Sequence, residues 1–224
     1  PATRRLLHTI ALIQPIASVK LTDAVAGTRP SLDRLILGGF VIEDHRVVRM
    51  AHPLYAEVLA RDPDLLEARV EAAHLLLRTG DDRDRFAALH LLLGTDTPPT
   101  ADDLSWAAAY ALASGDAAGA IRLAHLAIDI EPGFSAFLTI GTAEAMSRHL
   151  DAADEAFARA AAAASSDDEL VLLAGRRGEH LAFRRGDAAA AIEQAEEILS
   201  HLPAEAAGGL EADLRLWRVQ LGIA

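Results

Sequence analysis

Cysteine is absent from the 224-residue chain, and aromatic residues make up only 4% of it. The lack of cysteine excludes disulfide bonds and thiolate metal sites, and it is compatible with a reducing compartment. The hydrophobic fraction of 51% is carried mostly by alanine and leucine. These residues favour packed helices, whereas sheets favour β-branched and aromatic residues. The composition therefore predicts a mainly α protein.

Long apolar runs are also lacking. None approaches the roughly 20 residues that cross a bilayer, and the N-terminal segment has no small-residue cleavage site behind an apolar core. We therefore expect a cytoplasmic protein without membrane contact. Because the sequence begins at Pro1 and enters a helical pattern at once, it also suggests a piece of a longer protein.

Motifs that carry chemistry are missing as well. The sequence contains no G-x-x-x-x-G-K-[ST] phosphate loop, no H-E-x-x-H and no G-x-S-x-G. The nine histidines include no pair at helical spacing with a supporting carboxylate. The sequence predicts no catalytic residue, no metal ligand and no enzyme activity, and it predicts solvated or half-buried positions for His74, His90, His125 and His180.

Positive charge is scarce in most of the chain. The net charge is −12. Residues 1–62 hold eight Lys and Arg against six Asp and Glu, a net of +2, whereas residues 63–224 hold 13 against 27, a net of −14. Such an acidic surface repels phosphate backbones, so we expect no direct nucleic-acid contact by this chain.

A Gly-Asp turn followed by an alanine-rich helix recurs along the acidic part. It stands in "ASGDAAGAIRLAHLAIDIEP", "FRRGDAAAAIEQAEEILSHLP" and "LRTGDDRDRFAALHLLL", and "SRHLDAADEAFARAAAAASS" echoes it 33 residues after the first. Alanine at helix crossings lets backbones approach closely. A period near 34 residues resembles the tetratricopeptide repeat.

Four helix pairs and one single helix follow from this period. We predict the pairs at 65–93, 102–131, 135–164 and 169–202, and the single helix at 208–221. Residues 63–224 are therefore expected to form an α–α superhelix of degenerate tetratricopeptide-like repeats, truncated at its C-terminus. The alternative is a generic alanine-rich helical bundle.

Residues 1–62 follow a different plan. We predict helices at 3–14, 18–26 (ended by Gly27), 31–38 (capped by Ser31) and 53–60, with a β-hairpin at 40–51 that turns at residues 43–45. Three helices followed by a hairpin make a winged helix. Its third helix, "SLDRLILGG", has Arg34 as its only base beside Asp33, so we prefer a packing role over DNA reading.

The junction carries a family resemblance. "SLDRLILGGFVIEDHRVVRMAHPLYAEVLARDP" resembles the segment that follows the ATPase core in the large ATP-binding regulators of the LuxR family, which belong to the STAND class of signal-transduction ATPases. In that family a winged helix ends in a histidine-proline-leucine motif and a tetratricopeptide-like sensor domain follows. The resemblance covers residues 1–62, and beyond them it rests on repeat architecture alone.

The resemblance implies partners and a nucleotide for the full-length protein. ATP or ADP would bind an ATPase domain outside this chain, and a helix-turn-helix domain would also lie outside it. "RMAHPLYAEVL" is similar to a methionine-histidine-aspartate motif whose histidine meets the ADP phosphate, with His52 as the matching residue, although Ala51 intervenes and Pro53 replaces the aspartate. The residues themselves allow another role, in which His52 caps or packs at the start of the helix.

Two arginine pairs form a local basic feature on the acidic part. Arg176 with Arg177 and Arg184 with Arg185 flank the helix before a Gly-Asp turn. Salt bridges across repeats are one role. The other is to bind an anionic effector or an acidic peptide segment on the concave face.

The resemblance, together with the repeats, implies a regulatory or sensor fragment of an ATP-dependent LuxR-type transcriptional regulator. A small-molecule inducer or a protein effector would bind the repeats and be coupled to the ATPase. The fragment itself would carry no cofactor, and a homo-oligomer is a further option. The alternative is a stand-alone tetratricopeptide-repeat scaffold that binds peptides or proteins.

Overall fold

The computed structural model of the chain describes residues 2–24, 28–59, 62, 65–202, 204–220 and 222. Within these ranges the protein is mainly α, as predicted, with thirteen α-helices, one π-helical turn and one three-stranded sheet. No helix among the described residues is long and apolar enough to cross a membrane. The chain divides into two compact units, residues 1–99 and residues 100–224.

The first unit contains the sheet. Its elements are α1 (Ala2–Ile13), β1 (Ile16–Ala17), α2 (Ser18–Ala24), α3 (Thr28–Leu37), β2 (Val41–Asp44), β3 (Val47–Met50), α4 (Pro53–Leu59), α5 (Leu65–Leu77) and α6 (Asp82–Leu92). The strand order is β1-β3-β2 and both pairings are antiparallel. The core includes Ile10, Leu21, Leu32, Val41 and Val48, all with no exposed surface.

The first helix pair of the acidic part belongs to this compact unit. Helix α5 packs on α1 and α6, and Ala73, Leu76 and Leu92 join the core of Ile10 and Leu32. The compact unit thus extends past residue 62, where the sequence predicts the domain boundary. That boundary, drawn from a change of pattern, stays a prediction.

Two local features differ from expectation. The hairpin turns at His45 and Arg46, whose φ angles are 47° and 65°, while residues 43 and 44 remain paired in β2. Positive φ at both turn residues matches the twist of the strands in a two-residue hairpin. Helix α3 begins at Thr28, so Ser31 is buried inside the helix and does not cap it. The predicted end of α2 at Gly27 lies outside the described residues.

The second unit is entirely helical within the described ranges. Its elements are α7 (Ala101–Ala113), α8 (Ala117–Ile130), α9 (Phe134–Met146), α10 (Leu150–Ala163), α11 (Asp167–Glu179), the π-helical turn (His180–Arg185), α12 (Ala188–Leu199) and α13 (Ala204–Gln220). Helix α9 packs on α7, α8, α10 and α11, and α13 packs on α11 and α12. The predicted helix at 208–221 begins four residues earlier, at Ala204.

The Gly-Asp turns have a common geometry. Gly80, Gly115 and Gly186 have φ angles of 70°, 87° and 74°, a left-handed conformation that glycine adopts without steric cost. The next aspartate caps the following helix: Asp116 accepts from the Gly119 amide at 2.8 Å, and Asp187 accepts from the Ala190 amide at 3.0 Å. One short motif therefore ends one helix and begins the next.

The turn between α9 and α10 lacks both residues. Arg148 takes the left-handed conformation with a φ of 64°, and His149 stands at the cap without a side-chain cap hydrogen bond. Replacing both, as Arg148→Gly with His149→Asp, is expected to raise the free energy of unfolding by about 1–2 kcal/mol, because the glycine removes backbone strain and the aspartate supplies a cap. Urea unfolding of the double variant measures this gain.

A matched control separates the turn from a general effect of glycine. Arg122 is exposed in the middle of α8, where Arg122→Gly is expected to lower the free energy of unfolding by about 1 kcal/mol. The double variant also loses the ion pair between His149 and Glu144, whose side chains are 68% and 16% exposed, and this loss works against the gain. A double variant no more stable than the parent protein would contradict the assignment.

Small residues set the helix spacing in the second unit. Ala120, Ala124 and Ala127 on α8 are fully buried, and so are Ala153 and Ala160 on α10, at the positions that the repeat period predicts.

Two glycines face large rings at these helix contacts. A Cβ on Gly141 would lie 2.8 Å from the Phe157 ring, and a Cβ on Gly178 would lie 2.1 Å from the Trp217 ring. Both rings are 1% exposed. The two aromatics fill space that only glycine leaves open.

Candidate functional site

His52 lies at the start of α4 and is exposed. Its Nδ1 atom accepts a hydrogen bond from the Leu54 amide at 3.2 Å, and its ring meets the Tyr55 ring edge-on, with centroids 6.1 Å apart. The imidazole therefore caps the first turn of the helix, which is the structural role that the sequence left open. The Nε2 atom has no hydrogen-bond partner among the described residues, and a nucleotide role stays a prediction.

Exposed apolar side chains follow His52 along α4 on the surface of the first unit. Leu54 is 55% exposed and Val58 is 69% exposed, and the Phe40 ring lies 5.6 Å from the Tyr55 ring. No residue of α4 is buried. We call Phe40, His52, Leu54, Tyr55 and Val58 the junction surface.

The four arginines of the predicted basic feature have different surroundings. Arg185 donates to Asp151 at 2.6 Å and also to Asp154, and these hydrogen bonds raise the pKa of Arg185. Because both carboxylates lie on α10, this contact is a salt bridge between neighbouring helix pairs. Arg184 is exposed.

The other two arginines lie on α11. Arg176 pairs with Glu179, one turn further along the same helix, at 3.6 Å. Arg177 is half-buried, and its Nε atom has no hydrogen-bond partner among the described residues. An effector-binding role for the four arginines remains a prediction, and Arg185 has its charge already engaged.

His180 is buried, although the sequence predicts a solvated or half-buried position for it. It is 2% exposed, its Nε2 atom lies 3.0 Å from Asp154 Oδ1, and its ring lies 5.5 Å from that of Phe157. The π-helical turn that begins at this residue changes the direction of the side chains after α11. A period of 3.6 residues gives no signal for such a change.

A cleft opens between α11, the π-helical turn and α13, and we call it the C-terminal cleft. Its volume is about 570 Å³. The lining is mostly apolar, with three charged side chains: Val171, Leu172, Gly175, Arg176, Glu179, Phe183, Gly209, Leu210, Asp213, Leu216 and Trp217. Burial raises the pKa of Asp213, and the nearby Glu179 carboxylate raises it further while Arg176 opposes the rise.

The first unit has a cleft of similar volume with balanced charges. It measures about 550 Å³ and is lined by residues of α1, α2 and α6, among them Lys20 and Asp84. Lys20 donates a hydrogen bond to Asp84 across this cleft. Burial works against ionisation of Asp84, but the hydrogen bonds from Lys20 and Thr79 outweigh it and lower the pKa. Lys20 and Asp84 therefore form an ion pair within this cleft.

The described residues include no group of three or more His, Cys, Asp or Glu side chains arranged to hold a metal ion. Comparison of the sequence with models of known protein families finds no match, and comparison with curated proteins finds none either.

Proposed function

We propose that the chain is a regulatory module, the winged-helix and sensor portion of an ATP-dependent LuxR-type transcriptional regulator. An effector binds the helical repeats, and the first unit passes this binding to an ATPase domain outside the chain. DNA contact belongs to a helix-turn-helix domain that also lies outside it.

The observation that carries the proposal is the exposure of the junction surface. Apolar groups such as Leu54 and Val58 on a short helix with no buried residue form the kind of patch that proteins use for contact with a partner. The histidine-proline-leucine motif, the most specific part of the resemblance, begins this same helix. We assign the ATPase domain as the partner that covers it.

The order of elements in the first unit supports a winged helix. Helix, strand, two helices and two strands, joined in a β1-β3-β2 sheet, follow the order of that fold, with the hairpin as its wing. The bases of α3 support a packing role. Arg29 pairs with Asp33 at 2.8 Å and with Glu43 at 3.1 Å, so its charge is engaged within the unit.

The helix contacts of the second unit support a repeat superhelix. Helix α9 packs on α7, α11 packs on α9, and α13 packs on α11, while each even-numbered helix packs beside its odd-numbered neighbour. In stacked helix pairs the first helices of successive pairs lie side by side and line one face, where such proteins bind their ligands. We assign effector binding to this face.

The test of the coupling role is nucleotide retention by the full-length protein. His52→Ala removes both the cap and the imidazole, whereas His52→Asn keeps a capping side chain and removes the imidazole alone. We expect both variants to release ADP at least about tenfold faster, because a hydrogen bond to a charged group contributes about 1.5–3 kcal/mol.

A control variant and two contradicting outcomes complete this test. His74→Ala changes an exposed histidine of the same unit and is expected to leave ADP release unchanged. If His52→Asn retains ADP like the parent protein, the imidazole serves only as a cap and the nucleotide role is wrong. The proposal also requires a phosphate loop encoded upstream of Pro1, and a gene without one would favour the stand-alone scaffold.

A further inference from the structure

The C-terminal cleft has partly open apolar walls. Leu172, Phe183 and Leu216 line it and are 47%, 49% and 54% exposed. They come from three different elements, α11, the π-helical turn and α13. A volume of about 570 Å³ lies within the range of pockets that take small organic molecules, roughly 300–1,000 Å³.

Asp213 is the one carboxylate among the described residues of this cleft that forms no ion pair. Arg176 and Glu179 pair with each other, and the described residues offer Asp213 no hydrogen bond or ion pair. Asp213 is half-buried and lies against the α11 backbone, since a Cβ on Gly175 would be 3.2 Å from its Oδ2 atom. The cleft therefore holds one net negative charge within apolar walls.

The chemistry of a matching ligand follows from these two features. A protonated nitrogen would neutralise Asp213, which is half-buried and has no ion pair among the described residues. Phe183 lines the same cleft, where an aromatic ring attracts a cation, and the leucines suit a hydrocarbon body. An anionic effector, which is the ligand that the arginine pairs would accept, would meet Glu179 and Asp213 as like charges.

We propose that the C-terminal cleft binds a small organic amine, with its protonated nitrogen at Asp213 and its apolar body against Phe183, Leu172 and Leu216. This assignment names the effector class of the proposed sensor and in that respect rests on the proposed function. It replaces the arginine feature with Asp213 as the charged group that selects the ligand.

Three probes of nearly equal shape test the proposal on the purified chain. They are 2-phenylethylamine, which is cationic at neutral pH, 2-phenylethanol, which is neutral, and 3-phenylpropanoate, which is anionic. Trp217 lines the cleft, and Trp106→Phe leaves it as the sole tryptophan, so its fluorescence reports binding. We expect the amine to bind at least about tenfold more tightly than the other two probes.

Variants of one helix complete the experiment. Asp213→Asn is expected to reduce binding of the amine to the level of the alcohol, and it is expected to fold, because burial disfavours the carboxylate that it removes. Glu211→Gln removes an exposed carboxylate of α13 outside the cleft and is expected to leave binding unchanged. Circular dichroism of each variant verifies its fold.

The results separate this proposal from the function on which it rests. Equal binding of the three probes, stronger binding of the anion, or unchanged binding to Asp213→Asn would overturn the amine assignment. None of these results involves the ATPase domain, so the ADP release of the His52 variants would still decide the coupling function.

Discussion

Trp217→Ala is expected to lower the free energy of unfolding of the second unit by about 3–5 kcal/mol. The indole is 1% exposed and packs in a cluster with Ala174, Ala182, Leu210 and Leu214. Removing it leaves a cavity against α11 at Gly178, where no side chain can fill the space. Urea unfolding followed by Trp106 fluorescence measures the loss, since both tryptophans of the chain lie in this unit.

The neighbouring surface of α13 provides the control. Val219 is 71% exposed, so Val219→Ala is expected to change the free energy of unfolding by less than about 0.5 kcal/mol. If Trp217→Ala cost no more than Val219→Ala, the packing of α13 on α11 would be wrong, and with it the shape of the C-terminal cleft.

Phe157→Ala is expected to lower the free energy of unfolding by about 3–5 kcal/mol, because it too removes a buried ring and leaves a cavity. The ring is 1% exposed and lies between α9, where Gly141 meets it, and His180 of the next helix pair. Its loss removes packing on both sides of α10. Chemical unfolding by urea, monitored by circular dichroism, measures the change.

A double-mutant cycle with Gly141 tests the contact itself. Alone, Gly141→Ala is expected to lower the free energy of unfolding by about 1–2 kcal/mol. The reason is that overpacking against the Phe157 ring outweighs the gain in helix propensity. In the Phe157→Ala background the added methyl group enters vacated space, so the same substitution is expected to be neutral or stabilising. Equal costs in both backgrounds would contradict the close approach of the two residues.

The Gly-Asp turns explain why much of the helical architecture could be predicted. Gly115 supplies the left-handed residue and Asp116 the cap, and the two are adjacent in the sequence. Because such signals act locally, the bounds of α7 to α10 lie within a residue or two of the predicted pairs. The mainly α class follows from composition for a similar reason.

The features that the sequence did not predict depend on distant contacts or on unusual backbone conformations. Strand β1 has only two residues and forms because Ile16 pairs with Val48, a partner 32 residues away. The hairpin turn uses His45 and Arg46 in left-handed conformations, although neither is glycine. No local pattern marks such positions.

The candidate site also depends on contacts between distant residues, which the sequence does not predict. The sequence drew attention to arginines because they stand in pairs, but the π-helical turn directs Arg185 to Asp151 and Asp154. No sequence pattern marks Asp213, since one carboxylate on an amphipathic helix is ordinary. Its surroundings depend on the packing of α13 against α11, nearly forty residues apart in the sequence. They also depend on Gly175, which has no side chain and lets the carboxylate approach the α11 backbone.

The recurrence of one turn geometry at Gly80, Gly115 and Gly186 has a consequence for how this protein can change in length. A segment from Asp116 to Arg148 begins with a cap and ends with a left-handed residue. A second copy inserted after Arg148 would join at a turn of the same geometry at both of its ends. This backbone therefore accommodates the insertion or deletion of a whole repeat more readily than that of single residues.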